Sequence, residues 1–360
     1  MRLLISAGEA SGDRLAADLV VALRERIPGL EARGMVGPAM REIGVGEVDR
    51  LERIAVMGIA EVVKNLPEIQ EARRAMFAAI EEGADLLVVV DAPDFNLPMA
   101  RAARKRGIPV VFYVSPQVWA WRKGRAKTIA ALAEEVLCLL PFEPPYYEAH
   151  GGSATFVGHP ALERCPLLEG EGTDWALLPG SRRSEVAALL PDMLAAAALL
   201  RETLPDAVIR LPLAPGLSRE ELVEVVGEEA LSAVTLTDSL VSAVAPARAA
   251  LTASGTATLE IACMGRPMAV LYKVHPLTYA VGRALVRGVE HMALPNLILG
   301  RRAVPELLQD YTPRELADAW MAAADDAEQR AALIELRGAL GGGGATERAA
   351  DRVASILRRE

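Results

Sequence analysis

The sequence predicts an α/β protein with two doubly wound domains and a helical C-terminal tail. Short apolar runs alternate with stretches of helical periodicity in both halves of the 360-residue chain. This alternation is typical of parallel sheets that are flanked by helices. Hydrophobic residues make up 52% of the chain and charged residues 24%, which excludes global disorder. A Gly-, Glu- and Pro-rich segment at 161–173 separates the halves and is expected to be a linker.

The first domain is predicted over 1–160. Leu86–Val90 is apolar throughout, which favours a strand that is buried on both faces. The other predicted strands are Arg2–Ala7, Pro109–Val114 and Val136–Leu140. The predicted helices are Asp13–Arg26, Leu97–Arg106 and Arg122–Leu132.

The second domain is predicted over 174–310, and 311–360 is predicted to be a mostly helical tail. Its predicted strands are Trp175–Leu178, Val208–Leu211, Val234–Leu236, Ala249–Thr252 and Met268–Tyr272. Its predicted helices are Arg183–Leu204, Arg219–Val226, Thr256–Gly265 and Leu277–Val286. The tail could return to the first domain or pack on a second copy, so a homodimer is possible. Two such domains predict a ligand cleft at the carboxyl ends of both sets of strands.

Composition excludes several function classes. The formal net charge of -9 argues against a general nucleic-acid binder. The three cysteines are far apart, which makes a disulfide framework or a zinc cluster unexpected. No apolar run approaches the roughly 18 residues of a transmembrane helix, and the N-terminus does not resemble a signal peptide. We therefore expect a cytoplasmic protein that is soluble or peripheral to a membrane.

The loop Gly8–Asp13 (GEASGD) follows the first predicted strand, and its two glycines allow a sharp turn. Asp13 is a candidate cap for the helix that follows. The spacing is not that of a dinucleotide fingerprint, and no Walker-type phosphate loop occurs in the chain. The loop is thus either a tight turn or a ligand-binding turn.

Asp91 directly follows the buried run Leu86–Val90. A carboxylate at that end of a strand is expected to point into the cleft, where partial burial would raise its pKa towards that of a general base. Asp94 instead fits a cap for the helix that is predicted to start near Leu97. No DxD spacing and no His pair is present here, so a metal is not implied, and no other cofactor is expected.

Two loops of the second half predict a nucleotide site. Gly180, Ser181 and Arg182 lie between a strand and a long helix, where free backbone N–H groups, a hydroxyl and a guanidinium can bind a diphosphate. Ser254, Gly255 and Thr256 form a second loop of this kind. Glu260 follows Thr256 by one helical turn and can accept hydrogen bonds from ribose hydroxyls. Together the loops indicate a nucleoside diphosphate sugar.

These stretches resemble the lipid-A-disaccharide synthase family, which has the GT-B type of glycosyltransferase fold. The matching motifs are AGEASGD (7–13), VMGIAEVVKNLP (56–67), DAPDFNLPMA (91–100), YVSPQVWAWRKGR (113–125), LPFE (140–143), FVGHP (156–160), LLPGSRRSEV (177–186), LTASGTATLEIA (251–262), YKVHPLTYAVGRALV (272–286) and LPNLILGRRAVPELLQ (294–309). They occur in order and span roughly residues 3–310, whereas 161–173 and 312–360 match nothing specific.

The resemblance implies an inverting, metal-independent transfer that joins UDP-2,3-diacylglucosamine to 2,3-diacylglucosamine 1-phosphate. The products are a β-1,6-linked lipid A disaccharide phosphate and UDP. It implies that Asp91 is the base, that Arg182, Ser254 and Thr256 bind the diphosphate, and that Glu260 binds the ribose. It also assigns a set of further motif positions to the substrate cleft. They are Glu9, Ser11, Met57, Gln117 and Asn296.

Because both implied substrates carry acyl chains, the resemblance also implies that the protein works at the inner face of the cytoplasmic membrane. Residues 101–133 hold eight basic residues and no acidic one, which indicates either solvated helix faces or a patch for anionic lipid. With part of Met57–Ile80, the predicted membrane rim consists of Trp119, Trp121, Arg122, Lys123 and Arg125. The alternatives are a UDP-N-acetylglucosamine 2-epimerase on a similar scaffold, a transferase for a lipid-linked peptidoglycan precursor, and a nucleotide-sugar sensor without catalysis.

Overall fold

The computed structural model describes residues 1–54, 65–116, 124–214, 216–273 and 291–358. The chain splits into two compact units, of which the first joins Met1–Pro160 to Gly343–Glu360 and the second is Ala161–Gly342. The predicted linker therefore belongs to the second unit, and the predicted tail is divided between the two. The predicted helix Leu277–Val286 lies outside the described residues.

The first unit contains a parallel sheet in the order β3-β2-β1-β4-β5-β6-β7. Its strands are β1 (Arg2–Ala7), β2 (Glu31–Val36), β3 (Gly46–Arg50), β4 (Leu86–Val90), β5 (Val110–Tyr113), β6 (Glu135–Cys138) and β7 (Ala154–Phe156). The strand order reverses between β1 and β4, which pair in register from Leu3 with Leu86 to Ala7 with Val90. In open α/β sheets ligands bind outside the carboxyl ends of the strands at such a switch point.

Helices cover both faces of this sheet. They are α1 (Ala10–Arg26), α2 (Pro38–Glu42), α3 (Leu66–Glu81), α4 (Pro93–Lys105), α5 (Gly124–Leu132), α6 (Pro144–Glu148) and, from the end of the chain, α16 (Ala345–Leu357). Successive β4 side chains alternate between two apolar clusters: Val88 packs in the cluster with α1, and Val89 in the cluster with α3. Burial on both faces explains why β4 has no polar residue.

Helix α16 completes the core of the first unit by packing on α1. Its Arg352 donates from Nε and Nη2 to Oε1 of Glu135, at 2.9 and 2.6 Å. Glu135 is only 2% exposed, so this bond neutralises a buried charge. Of the two predicted partners for the end of the tail, the structure shows the chain's own first unit.

The second unit repeats the topology with a parallel sheet in the order β10-β9-β8-β11-β12-β13. The strands are β8 (Asp174–Leu178), β9 (Ile209–Pro212), β10 (Thr235–Thr237), β11 (Ala247–Ala253), β12 (Met268–Tyr272) and β13 (Glu306–Leu308). The helices are α7 (Ala161–Arg164), α8 (Arg183–Thr203), α9 (Arg219–Val226), α10 (Glu228–Ser232), α11 (Leu240–Val244), α12 (Ala257–Cys263), α13 (Leu294–Leu299), α14 (Pro313–Ala324) and α15 (Ala327–Ala339). Here the switch point lies between β8 and β11, which pair side by side.

Candidate functional site

In the first unit, the loops that follow β1 and β4 flank the switch point. Glu9 precedes α1, Ser11 lies in its first turn, and both are exposed. Asp91 follows β4 directly, and its carboxyl group is close enough to Glu9 for the two charges to interact. The structure thus brings together Glu9 and Asp91, both of which the sequence analysis assigned to the site, and Ser11 lies two residues after Glu9.

Asp91 has an unusual backbone conformation. Asp91 and Ala92 have φ angles of +49° and +42°, a left-handed region that costs a non-glycine residue about 1–2 kcal/mol. Hydrogen bonds hold the turn, because Asp91 N donates to Tyr113 O at 3.3 Å and Asn96 N donates to Ala92 O at 2.9 Å. Such strain persists where the surrounding structure imposes it, and it is concentrated at functional sites.

The environment of Asp91 raises its pKa above the ordinary value. Burial is the larger cause and the negative charge of Glu9 the second, against a smaller lowering by the N–H of Ala92. The predicted direction of this shift is confirmed. A carboxylate with a raised pKa is a stronger base than an exposed one, as a proton acceptor in catalysis requires.

The residues beyond Asp91 correct one prediction. Helix α4 begins at Pro93, four residues earlier than predicted, so Asp94 lies in its first turn and does not cap it. The Asp94 carboxylate pairs with Arg125, whose side chain is only 20% exposed. Arg125 was predicted to contact lipid; in the structure its charge is paired with Asp94 in the first turn of α4, and a contact with lipid stays a prediction. Arg73 binds the same helical turn by donating to Asp94 O at 2.9 Å.

Asp13 is a structural residue rather than a cap of its own helix. Helix α1 begins at Ala10, so Asp13 lies inside it and is 1% exposed. Its carboxylate accepts hydrogen bonds from Gly37 N and Ala39 N, both at 2.8 Å. These N–H groups lie at the start of α2, which explains an Asp at the end of the GEASGD motif.

In the second unit, the loop after β8 presents an exposed cation at the start of a long helix. Gly180 has a φ of +106°, a backbone conformation that L side chains rarely adopt, which favours glycine at this position. Arg182 is the N-cap residue of α8, and its half-exposed guanidinium donates to Glu185 Oε1 at 2.9 Å. Ser181 beside it is exposed. The helix N-terminus, the hydroxyl and the guanidinium suit an anion such as a diphosphate.

The loop after β11 differs from the prediction at one residue. Ser254 Oγ donates to Met292 O at 3.2 Å, so it is not the free donor that the sequence predicted. Gly255 and Thr256 are exposed, and Thr256 leads into α12 without a side-chain capping bond. Burial raises the pKa of Glu260 on α12 against a smaller opposing effect of Arg164. Within the described residues the Glu260 carboxylate has no hydrogen-bond partner, so it remains available to a ligand.

Asn296 does not have the predicted role in substrate contact. It is fully buried, and its Nδ2 donates to Val304 O at 2.9 Å and to Glu306 Oε1 at 2.7 Å. Its Oδ1 accepts from Ala303 N and Val304 N at 2.6 and 2.8 Å. Every donor and acceptor of the amide is therefore used within the protein. In the motif LPNLILGRRAVPE these hydrogen bonds hold the loop that follows α13 in place. The sequence analysis did not identify Glu306 as one of the residues that form them.

Several predicted residues cannot be assigned a place. Met57, Gln117, Trp119, Trp121, Arg122 and Lys123 lie outside the described residues. Within the part that the structure describes, no helix combines the length and apolarity needed to cross a membrane. In that same part, His, Cys, Asp and Glu side chains form no group of three that could hold a metal ion.

Sequence reasoning also missed Ser6 and Asn96. Both are fully buried beside Asp91, where Ser6 Oγ donates to Asn96 Oδ1 at 2.7 Å. The signal that could have found Ser6 is a hydroxyl inside the otherwise apolar strand RLLISA. For Asn96 it is an amide placed one turn into the helix that follows Asp91.

The whole-chain comparisons agree with one another. The family model described as Lipid-A-disaccharide synthetase matches residues 3–334. The chain is 41% identical to the Lipid-A-disaccharide synthase of Myxococcus xanthus (strain DK1622), over 99% of this chain and 97% of that protein. It is 44% identical to the protein of the same name from Anaeromyxobacter dehalogenans (strain 2CP-C), over 99% and 98%.

Solved structures support the fold. The chain is similar to the glycotransferase of kitacinnamycin, with a TM-score of 0.64 and 18% identity over 99% of this chain and 98% of that one. It is also similar to the UDP-GlcNAc 2-epimerase of Neisseria meningitidis bound to UDP-GlcNAc, with a TM-score of 0.64 and 11% identity over 100% of both chains. The predicted fold class, two doubly wound α/β domains of the GT-B type with a helical C-terminal stretch, is confirmed.

Proposed function

The chain belongs to the lipid-A-disaccharide synthase family, and from this premise we propose that it transfers the sugar of UDP-2,3-diacylglucosamine to 2,3-diacylglucosamine 1-phosphate. In this proposal, Asp91 is the general base that accepts the proton of the acceptor hydroxyl. The observation that carries the role is its position: a partly buried carboxyl group with a raised pKa, at the carboxyl end of β4 and beside the switch point.

The reaction is a single displacement at the anomeric carbon. The acceptor O6–H bond breaks as the bond from O6 to C1 of the donor sugar forms, and the proton passes to the Asp91 carboxylate. The bond between C1 and the diphosphate oxygen breaks on the opposite face, and its electron pair leaves with UDP. Attack from that side converts the α-linked donor into a β-1,6-linked disaccharide phosphate. A base and stabilisation of the leaving group are the two requirements of this step.

The second unit supplies the groups that suit the leaving diphosphate. Arg182 would turn from Glu185 to the phosphates, where a guanidinium can bind two oxygens at once. The exposed loop Gly255–Thr256 would add backbone N–H donors, and Glu260 would accept from the ribose hydroxyls. All of these residues flank the switch point between β8 and β11.

The alternatives predict different behaviour. An epimerase of the same fold would convert an unacylated UDP-sugar without an acceptor, whereas a sensor would bind the nucleotide and release no UDP. The family match over residues 3–334 favours the transferase over both, because a fold likeness at 11% identity carries no activity with it.

The test uses purified protein in detergent with both acylated substrates, with and without EDTA. We expect acceptor-dependent UDP release, a disaccharide phosphate in the mass spectrum, and no effect of EDTA. Asp91→Asn should lose at least about 100-fold in kcat and keep its affinity for UDP. Asp85→Asn is the matched control, because Asp85 lies just before the opposite end of β4 and binds Arg2 N at 2.7 Å. Full activity of Asp91→Asn would exclude Asp91 as the base, and UDP release without acceptor would exclude the transferase.

We further propose that the protein binds the cytoplasmic face of the inner membrane through basic side chains of α4 and α5. Arg104, Arg106 and Arg125 are paired with acidic side chains. Arg101, Lys105 and Lys127 are exposed, and no ion pair joins them to another described residue. Such unpaired charges attract anionic headgroups by about 1 kcal/mol each.

Vesicle sedimentation tests this surface. Changing Arg101, Lys105 and Lys127 to Glu should abolish binding to vesicles that contain anionic lipid, with zwitterionic vesicles as the control. If the unmodified protein and the triple variant sediment equally with anionic vesicles, the proposal is contradicted. A homodimer stays a prediction, which the mass of the purified protein in solution can check.

A further inference from the structure

We propose that Asn96, together with Ser6, is a positioning residue for Asp91: it fixes the turn that carries the carboxyl group and so sets the direction from which Asp91 meets the acceptor hydroxyl. This inference rests on the proposed role of Asp91 as the base.

The amide of Asn96 joins two strands and the turn between β4 and α4. Its Nδ2 donates to Asp91 O at 2.8 Å, with Val90 O at 3.4 Å as a weaker second partner. Its Oδ1 accepts from Ser6 Oγ on β1 at 2.7 Å. Because β1 and β4 flank the switch point, this one side chain ties together both strands from which the site is built.

Because Ser6 and Asn96 are completely buried, their hydrogen bonds determine the geometry of the turn at Asp91. Ser6 and Asn96 are both 0% exposed, so water cannot replace a lost partner. The bond to Asp91 O acts on the peptide group that links Asp91 to Ala92, the two left-handed residues. Without it, only the backbone bonds from Asp91 N and Asn96 N hold the turn. The peptide can then relax towards an ordinary conformation, and the Asp91 side chain turns with it.

An amide is the side chain that meets both demands. It must donate to a carbonyl oxygen and at the same time accept from the Ser6 hydroxyl, and an ionised carboxylate can do only the second. A carboxylate at position 96 would also place a second negative charge near Asp91, which already lies in the field of Glu9. The chemistry of the pair therefore selects Asn over Asp.

The experiment compares Asn96→Ala, Asn96→Asp and Ser6→Ala with the unmodified protein. Thr155→Val is the control, since Thr155 Oγ1 donates to Glu135 Oε1 at 2.6 Å in the same sheet but away from Asp91. Four quantities are measured: the urea midpoint, UDP affinity, kcat and KM of the transfer, and the pH dependence of kcat.

We expect Asn96→Ala to lower kcat at least about 30-fold with KM changed less than about threefold, since a misplaced base affects the chemical step. Ser6→Ala should show a smaller loss in the same direction. Asn96→Asp should move the acidic limb of the pH profile to higher pH. Thr155→Val should lower the urea midpoint without changing the pH profile.

Two results overturn the proposal. One is an unchanged kcat and pH profile in folded Asn96→Ala, and the other is a kcat loss that Thr155→Val reproduces at equal destabilisation. If Asn96→Ala does not fold, the milder Ser6→Ala decides by the same criteria. Asp91→Asn separates this inference from its premise. If Asp91→Asn is active, Asp91 is not the base and the premise of this inference fails. If Asp91→Asn is inactive while the Asn96 and Ser6 variants are unaffected, only the positioning role is refuted.

Discussion

The contact between Gly8 and Ala92 yields a quantitative prediction. Gly8 follows β1, and a Cβ built on it would lie 1.9 Å from the Cβ of Ala92. Carbon atoms in contact need about 3.5–4.0 Å, so Gly8→Ala must displace the Ala92 turn by roughly 1.5–2 Å. Ala92 is bonded to Asp91, and the base moves with it.

The expected cost has two parts. Overpacking of this size destabilises a protein by about 1–3 kcal/mol, which urea unfolding measures. Misplacement of a reacting group by about 1 Å can cost roughly 100-fold in rate, which UDP release measures. We therefore expect Gly8→Ala to fold, to be less stable, and to lose about two orders of magnitude in kcat.

A second substitution should rescue the first. Ala92→Gly removes the clashing methyl group, so the nearest atom to the new Cβ becomes the Cα of residue 92, at 3.3 Å. The φ of +42° at this position also suits glycine. The double variant should regain most of the stability and at least tenfold in kcat.

Gly124→Ala is the matched control for a generic effect of alanine. Gly124 lies at the start of α5, its φ is not in the positive region, and a Cβ there would meet no atom of the described residues within 4 Å. The reasoning is refuted if Gly8→Ala is as stable and active as Gly124→Ala, or if Ala92→Gly fails to improve it.

Three further outcomes follow from the contacts. Asn296→Ala should destabilise the second unit by about 3 kcal/mol, because it leaves buried groups unpaired. The UDP affinity of the folded variant, measured by titration calorimetry, should stay within about threefold of that of the unmodified protein. A much larger loss would indicate that Asn296 contacts the ligand after all. Arg352→Ala should cost about 3 kcal/mol in urea unfolding, since it leaves the buried charge of Glu135 without its cation and with the Thr155 hydroxyl as its remaining side-chain donor among the described residues. A cost below about 1 kcal/mol would contradict that reading. Burial and Glu9 raise the pKa of Asp91 above the ordinary 3.8, so its ionisation weakens the fold at neutral pH. Asp91→Asn should then raise the urea midpoint at about pH 7 and not below the ordinary pKa, and an equal effect at both pH values would be incompatible with the shift.

The fold could be predicted from the sequence wherever a strand is apolar on both faces. β1, β4 and β12 were predicted with their observed bounds, because central strands of a parallel sheet have no polar side to confuse the pattern. β2, β3, β7 and β13 were missed. β2 contains Gly34, which is required because a Cβ there would lie 1.7 Å from Ile5 O, and β3 is a polar edge strand.

The site was predictable in position but not in the role of each polar residue. Asp91 and Arg182 could be chosen because parallel strands end at one edge of the sheet. Asp13, Ser254 and Asn296 were assigned to capping or ligands, yet each binds backbone of its own unit. Their partners lie between seven and 38 residues away along the chain, and a local pattern carries no information about such contacts.

Helix α16 has a consequence for synthesis. A ribosome makes Met1–Pro160 first, but the core of that unit lacks Val353 and Ile356 until residues 161–342 have been translated. The second unit is continuous in sequence and can fold on emerging, whereas the first must wait with part of α1 uncovered. We therefore expect the nascent N-terminal half to expose apolar surface until α16 has been made, which is the kind of surface that chaperones bind.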